Sequence, residues 1–268
     1  VTRFMELFAV FGQPIHHSLS PQMHNAAFKY FDRPAFYLPV ECPPHELLQR
    51  LDAFRQLGGR GVNLTRPLKE LIVPHLHSAS SWVEKAQAAN VIVWQEDSWV
   101  GDNTDVQALM AYIPDTGPHY FGKVAWVLGQ GGVARASVVA LEAKGYEVVV
   151  FGRRSSNKSS WHYHWVEWDN DMFRHPHCDV FVNATPLGQI GENLWDVRPE
   201  FDPHTLVVDW VYRPNNTVLL TQGREAGCRV VDGLSLLVKQ AVLSWQLWFG
   251  SVGPEDVMTN AVREYFYG

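Results

Sequence analysis

Cysteine is scarce in this chain, with three residues, Cys42, Cys178 and Cys228, among 268. They are far apart, odd in number and form no C-x-x-C pair. That excludes a disulfide framework and suits free thiols in a reducing compartment. A basic excess is also missing. The 22 Lys and Arg are outnumbered by 28 Asp and Glu, a formal net charge of −6. Without a broad basic surface to neutralise phosphates, a nucleic-acid partner is excluded. No apolar run approaches membrane-spanning length, and the opening Val1-Thr-Arg-Phe-Met5 lacks a signal-peptide layout. These absences predict a cytoplasmic protein with no membrane partner. His162, His164, His175 and His177 have no cysteine or carboxylate at ligand spacing, so no metal is expected.

What is present is a soluble globular composition, 46% hydrophobic and 19% charged, long enough for two domains of ordinary size. The stretch from Val124 to Arg154 is its most informative part. Val124-Ala-Trp-Val-Leu128 reads as a strand buried on both faces. Gly129-Gln130-Gly131-Gly132-Val133-Ala134 follows as a G-x-G-x-x-A turn, opening an alanine-rich helix through Lys144 with Gly145 at a left-handed C-cap. Glu147 to Phe151 completes a β-α-β unit. Such glycines let backbone N–H groups approach a pyrophosphate at the positive end of the helix. An NAD-selective site would carry an acid about 20 residues further on. This chain instead reads Gly152-Arg153-Arg154-Ser155-Ser156-Asn157-Lys158. Arginine accepts a 2′-phosphate through charge-assisted hydrogen bonds, each worth roughly 1.5–3 kcal/mol, which favours NADP; a solvated basic loop end is the plainer reading.

Upstream, Glu6 to Phe11 reads as a strand. Ser20-Pro21 reads as an N-cap followed by proline at the first helical position. Ser18 and Ser20 at that helix mouth serve equally as cap residues or as a carboxylate seat. A strand is expected over Phe36 to Val40 and a helix over Pro44 to Leu57, ended by Gly58-Gly59. Lys69 follows the proline-constrained turn Thr65-Arg-Pro67, which either holds its ammonium in a cleft or leaves it solvated. Asn90 to Trp94 is a further strand, and Asp105 opens a helix whose dipole it complements. Downstream, buried strands over Asp179–Asn183 and Thr205–Val211 end in Ala184-Thr185-Pro186 and at Tyr212, where open α/β sheets keep their ligands. The polar, aromatic tract from Ser159 to Asp171 predicts no element. Helices are expected over Thr217–Ala226, Leu234–Phe249 and from about Glu255 to Tyr265, with a strand at Arg229–Val231.

Several stretches, in order, resemble the shikimate dehydrogenase family. They are Gly12-Gln-Pro-Ile-His-His-Ser-Leu-Ser-Pro-Gln-Met-His-Asn25, Gly61-Val-Asn-Leu-Thr-Arg-Pro-Leu-Lys69 and Gly101-Asp-Asn-Thr-Asp105. Further along come Gly129 to Ala134, Asn183-Ala-Thr-Pro-Leu-Gly188, Asp209-Trp210-Val-Tyr212 with Pro214, and Gly233 to Gln240. The resemblance implies an α/β protein with a substrate domain at 1–105, a Rossmann-type NADP domain at 106–232, and C-terminal helices at 233–268 returning to the first domain. It implies reversible NADPH-dependent reduction of 3-dehydroshikimate to shikimate by a monomer or homodimer. Lys69 and Asp105 would be the catalytic pair, with Ser18 and Ser20 on the substrate carboxylate. Thr65, Asn90, Tyr212 and Gln240 would contact the ring or its hydroxyls. The cofactor would lie on Gly129, Gln130, Gly131, Gly132 and Val133, with Gly152, Arg153, Arg154, Asn157 and Lys158 toward the 2′-phosphate. Thr185, Trp210 and Gly233 would complete its seat. The chain departs from the family pattern at Gln87-Ala-Ala-Asn90, at Gly152-Arg153-Arg154, and at Leu236, where methionine is usual. Alternatives within reach of the same residues are a quinate or aminoshikimate dehydrogenase, or a nicotinamide-cofactor sensor without turnover.

Overall fold

The computed structural model describes residues 5–95, 98–115, 120–152, 163, 165–168, 170–189, 199–213 and 216–267. The chain divides into two compact units, Val1–Thr104 with Leu237–Gly268, and Asp105–Leu236. The first opens with β1 (Glu6–Gly12), α1 (Ser20–Tyr30), β2 (Ala35–Glu41), α2 (Leu47–Gln56) and β3 (Gly59–Leu64). It continues with β4 (Ser78–Ala79), α3 (Ser81–Ala86), β5 (Val91–Gln95) and β6 (Ser98–Asp102), before α4 (Thr104–Met110) leads out. Among the described residues these strands form one sheet in the order β2-β1-β3-β5-β6-β4. Helical crossovers α1 and α2 make β1 parallel to β2 and β3, whereas the short link between β5 and β6 permits only an antiparallel pair. Leu47, Leu51 and Phe54, at helical spacing, bury α2 against Phe11, Val62 and Leu64 of the sheet.

One local expectation fails. Leu19, not Ser20, is the N-cap of α1, and no side chain caps the helix. Leu19 already has helical backbone angles, so Ser20 falls inside the helix, at its first position, rather than at the extended cap position.

The second unit contains β7 (Val124–Leu128), α5 (Gly132–Ala143), β8 (Glu147–Gly152), β9 (Trp165–Glu167), β10 (Val180–Asn183), β11 (Leu206–Asp209), α6 (Val218–Glu225) and β12 (Arg229–Val231). The sheet order is β12-β11-β10-β7-β8-β9, with every pair parallel. Read from its far edge, that is third, second, first, fourth, fifth, sixth, the doubly wound arrangement whose order reverses between β7 and β10. Every residue of β10 and β11 is buried, which explains their unbroken apolar runs. Gly145, at φ +81°, supplies the left-handed residue after α5. β9 lies in the tract for which the sequence predicts no element. Three residues are too few to show a period, and pairing with β8 creates the strand. The short α3 and β4 are missed for the same reason.

The helix α7 (Gly233–Phe249) begins in the second unit and ends in the first, followed by α8 (Glu255–Tyr267). Its Trp245, Trp248 and Phe249 meet Phe8 and Phe28 in an aromatic layer on the first sheet, with ring centroids 4.9–5.4 Å apart for Phe8–Trp248, Phe8–Phe249 and Phe28–Trp245. Gly61 is needed beneath it, since a Cβ there would stand 2.3 Å from the Trp248 ring. Two of the eleven tryptophans, Trp245 and Trp248, are thus packing residues.

Candidate active site

In the first unit, the turn that carries Lys69 is stitched to the end of β1. Thr65 N–H donates to the Phe11 carbonyl at 2.9 Å, Gln13 N–H to Arg66 O at 2.9 Å, and Leu68 N–H to Thr65 O at 2.8 Å. The Lys69 carbonyl accepts from Ala89 N–H at 2.8 Å, beside Asn90. This anchoring leaves Lys69 only 8% exposed, unlike an ordinary surface lysine. Thr65 and Ser18 are half-buried, and Ser18 Oγ accepts from Ser20 N–H at 3.3 Å.

Four polar residues that sequence reasoning did not single out join the predicted ones into a buried network. Asn90 Nδ2 donates to Thr104 Oγ1 at 2.9 Å, while Asn90 Oδ1 accepts from Thr104 N–H at 2.8 Å. Asn63 Nδ2 donates to the Asn90 carbonyl at 3.2 Å and to Ser244 Oγ at 2.9 Å. Ser244 Oγ donates in turn to the Gln240 carbonyl at 2.9 Å. Tyr37 Oη donates to Asn63 Oδ1 at 2.8 Å. Burial pushes the Tyr37 phenol well above its ordinary pKa, with the nearby Ser20 hydroxyl opposing. Asn90 and Gln240, far apart in sequence, are thus tied to Tyr37, Asn63, Thr104 and Ser244. The one signal available earlier was Asn63, a polar residue inside a buried strand. His24 stacks on Tyr37 with centroids 4.4 Å apart, and burial lowers its imidazole to a pKa of about 3.

In the second unit, Gly129 has φ +118°, and a Cβ there would stand 2.8 Å from the Ala184 carbonyl. This glycine lets the turn after β7 approach the loop after β10, at the point where strand order reverses. Gly131 caps α5 without a side-chain hydrogen bond, and nothing lies within 4 Å of where its Cβ would project. A helix N-terminus carries N–H groups without intrahelical partners, which suits a dinucleotide pyrophosphate. Gly132 and Val133 form the first turn of α5, and Gln130 packs against Gly152, where a Cβ would meet it at 2.3 Å. Trp210 Nε1 donates to Ser137 Oγ at 3.0 Å, and Ser137 Oγ donates to the Val133 carbonyl at 2.9 Å. Thr185 donates from N and Oγ1 to Asn183 Oδ1, at 3.1 and 2.7 Å. Gly233 touches the Trp210 and Val211 carbonyls so closely that a Cβ would come within 2.6 Å of both. Asp105 is 3% exposed in the first turn of α4, and Tyr212 is half-buried. Arg153, Arg154, Asn157 and Lys158 lie outside the described residues, as does Pro214. No group of three or more His, Cys, Asp or Glu among the described residues could hold a metal ion, and no described helix is long and apolar enough to cross a membrane.

Two family models match, the shikimate dehydrogenase substrate binding domain over residues 10–92 and the shikimate 5′-dehydrogenase C-terminal domain over residues 233–263. The shikimate dehydrogenase (NADP(+)) of Desulforamulus reducens is 32% identical, over 97% of this chain and 95% of the relative. That of Symbiobacterium thermophilum is 33% identical, over 95% and 92%. Among solved structures, shikimate 5-dehydrogenase from Thermus thermophilus, in complex with NADP(H) and shikimate, matches with a TM-score of 0.81. It shows 32% identity and covers 96% of this chain and 98% of its own. The chain belongs to the shikimate dehydrogenase family.

Proposed function

We propose that this chain is an NADP-dependent shikimate dehydrogenase, reducing the carbonyl of 3-dehydroshikimate to the hydroxyl of shikimate and catalysing the reverse. The observation that carries this reading is the buried Lys69, pinned through its own carbonyl to Ala89 N–H, next in the chain to an Asn90 locked by the buried polar network. The first unit takes the substrate. Ser18 and Ser20 seat its carboxylate, and Thr65, Asn90 and Gln240 fix the ring hydroxyls. The second unit holds NADP along Gly129 to Val133, Thr185, Trp210 and Gly233; by family resemblance Tyr212 is a substrate residue. When bound, the nicotinamide supplies or accepts the hydride. Lys69 gives the forming alkoxide its proton, with Asp105 as its catalytic partner by family resemblance. Acid–base assistance of this kind contributes roughly 10²–10⁴-fold. Arg153 and Arg154 serve the 2′-phosphate. A cytoplasmic location fits the three buried free thiols.

The test follows absorbance at the nicotinamide band with shikimate or quinate and with NADP or NAD. Turnover of shikimate with NADP, at higher kcat/KM than any other pairing, is expected. A preference for quinate would make the chain a quinate dehydrogenase. Nucleotide binding without turnover on either substrate would make it a sensor.

A further inference from the structure

Two loops and a helix of the second unit converge on one carboxylate. Asp209, the last residue of β11, is fully buried. Its Oδ1 accepts from Asn183 Nδ2 at 2.9 Å and from Val211 N–H at 3.0 Å, and its Oδ2 from Thr217 Oγ1 at 2.6 Å. Each partner is committed further. Asn183 holds both N–H and Oγ1 of Thr185, and its amide also donates to the Leu187 carbonyl at 3.0 Å. Val211 lies between Trp210 and Tyr212. Thr217 caps α6, accepting from Leu220 N–H at 3.3 Å. Among the described residues, the groups bonded to Asp209 from β10, from the segment after β11 and from α6 are Asn183, Val211 and Thr217, all neutral. A buried carboxylate without a countercharge is costly, and a packing role alone does not need the charge. Three donors from three segments favour it, because an ionised carboxylate accepts from all of them at once and does so more strongly than a neutral one.

We propose that Asp209 is a positioning residue whose carboxylate holds the loops after β10 and β11 so that Thr185, Trp210 and Tyr212 present themselves to cofactor and substrate. This rests on the reading of those three residues given above. Burial pushes the Asp209 carboxyl up to about 6, against the Thr217, Val211 and Asn183 bonds. The sign follows from linkage. Because the folded value lies above the ordinary 3.8, this group's contribution to stability is largest at low pH and declines as pH rises from 3.8 to about 6. Acidification through that range therefore favours the fold at this residue while removing an acceptor. Loss of binding there does not come from unfolding through Asp209.

The experiment compares wild type with Asp209→Asn, which keeps the shape and removes the charge. It measures the NADP dissociation constant by calorimetry, the shikimate KM and kcat, and melting curves, from pH 5.5 to 8. At pH 7.5 the variant should bind NADP or shikimate about tenfold to a hundredfold more weakly, the scale of hydrogen bonds to a charged group. The ratio of variant to wild type should shrink toward pH 5.5, where wild type loses the same acceptor. Taking the ratio cancels titration of the cofactor's own phosphate. Thr217→Ala keeps the carboxylate and removes one donor, and should move the pH at which wild-type affinity falls toward neutrality. It decides the matter if Asp209→Asn does not fold. A constant ratio, or lower melting with unchanged Kd and KM, would overturn the proposal. Wild type that binds NADP but turns over neither substrate would overturn the functional reading instead, with the NADP affinities still deciding the role of Asp209.

Discussion

At the scale of single residues, Lys69 is the position where identity and environment matter most. The residue is 8% exposed, and its backbone is held by main-chain bonds on both sides of its turn, from Thr65 to Ala89. Truncation should leave that backbone scaffold standing and remove only the proton donor. Lys69→Ala should lower kcat by at least about 10²-fold with little change in the NADP dissociation constant. Asp105→Asn should also slow turnover, and the double variant should lose much less than the product of the two effects, because members of one catalytic unit fail together. Steady-state kinetics with calorimetry of NADP binding checks this; near-normal turnover in Lys69→Ala would make it a binding residue.

At the scale of elements, the proposed nucleotide seat is built with little side chain. The strand β7, the glycine turn and α5 together create the helix mouth, and the glycines matter for what they lack. Gly129 combines a left-handed φ of +118° with a carbonyl 2.8 Å from any added Cβ. Gly129→Ala is therefore strained in backbone and in contact, at an expected cost of about 1–3 kcal/mol. The turn has to move away from the loop after β10. Saturating NADP should raise the melting temperature of wild type, by an amount equivalent to about 2.7 kcal/mol at a hundredfold excess over Kd. The shift should be absent or much reduced in Gly129→Ala. An equal shift in both would show that the turn does not hold the nucleotide.

For the whole molecule, stability against acid depends on buried titratable groups of opposite sign. His24 is fully buried, neither ring nitrogen has a hydrogen-bond partner, and its pKa lies at about 3 against an ordinary 6.5. A depressed folded value means its contribution is complete above 6.5 and is lost as pH falls toward 3, by up to about 1.4 kcal/mol per pH unit. Asp209 works the other way between 3.8 and about 6. Replacing His24 with Leu should flatten the acid limb of unfolding free energy between about pH 6.5 and 4, measured by denaturant titration at each pH. An unchanged slope would mean that the imidazole is charged, or free to charge, in the folded state.

Sequence alone determined the features that depend on neighbouring residues. The glycine turn between a buried strand and an alanine-rich helix, the left-handed residue at Gly145 and the apolar spacing of α2 all follow from local sterics and periodicity. The motifs naming Lys69 and Gln240 belong to the same level, since they need only the order of side chains along the chain. Tertiary structure decided what those side chains are attached to. Asn63 meets Ser244 across 181 residues. Tyr37, from β2, reaches Asn63 in β3. Asn183 and Asp209 join only because β10 and β11 are adjacent and in register. A buried polar group must find a partner, but which partner depends on strand order and on where a distant helix lands. No spacing along the chain encodes that, and it is why Tyr37, Ser244 and Asp209 emerge only from the fold.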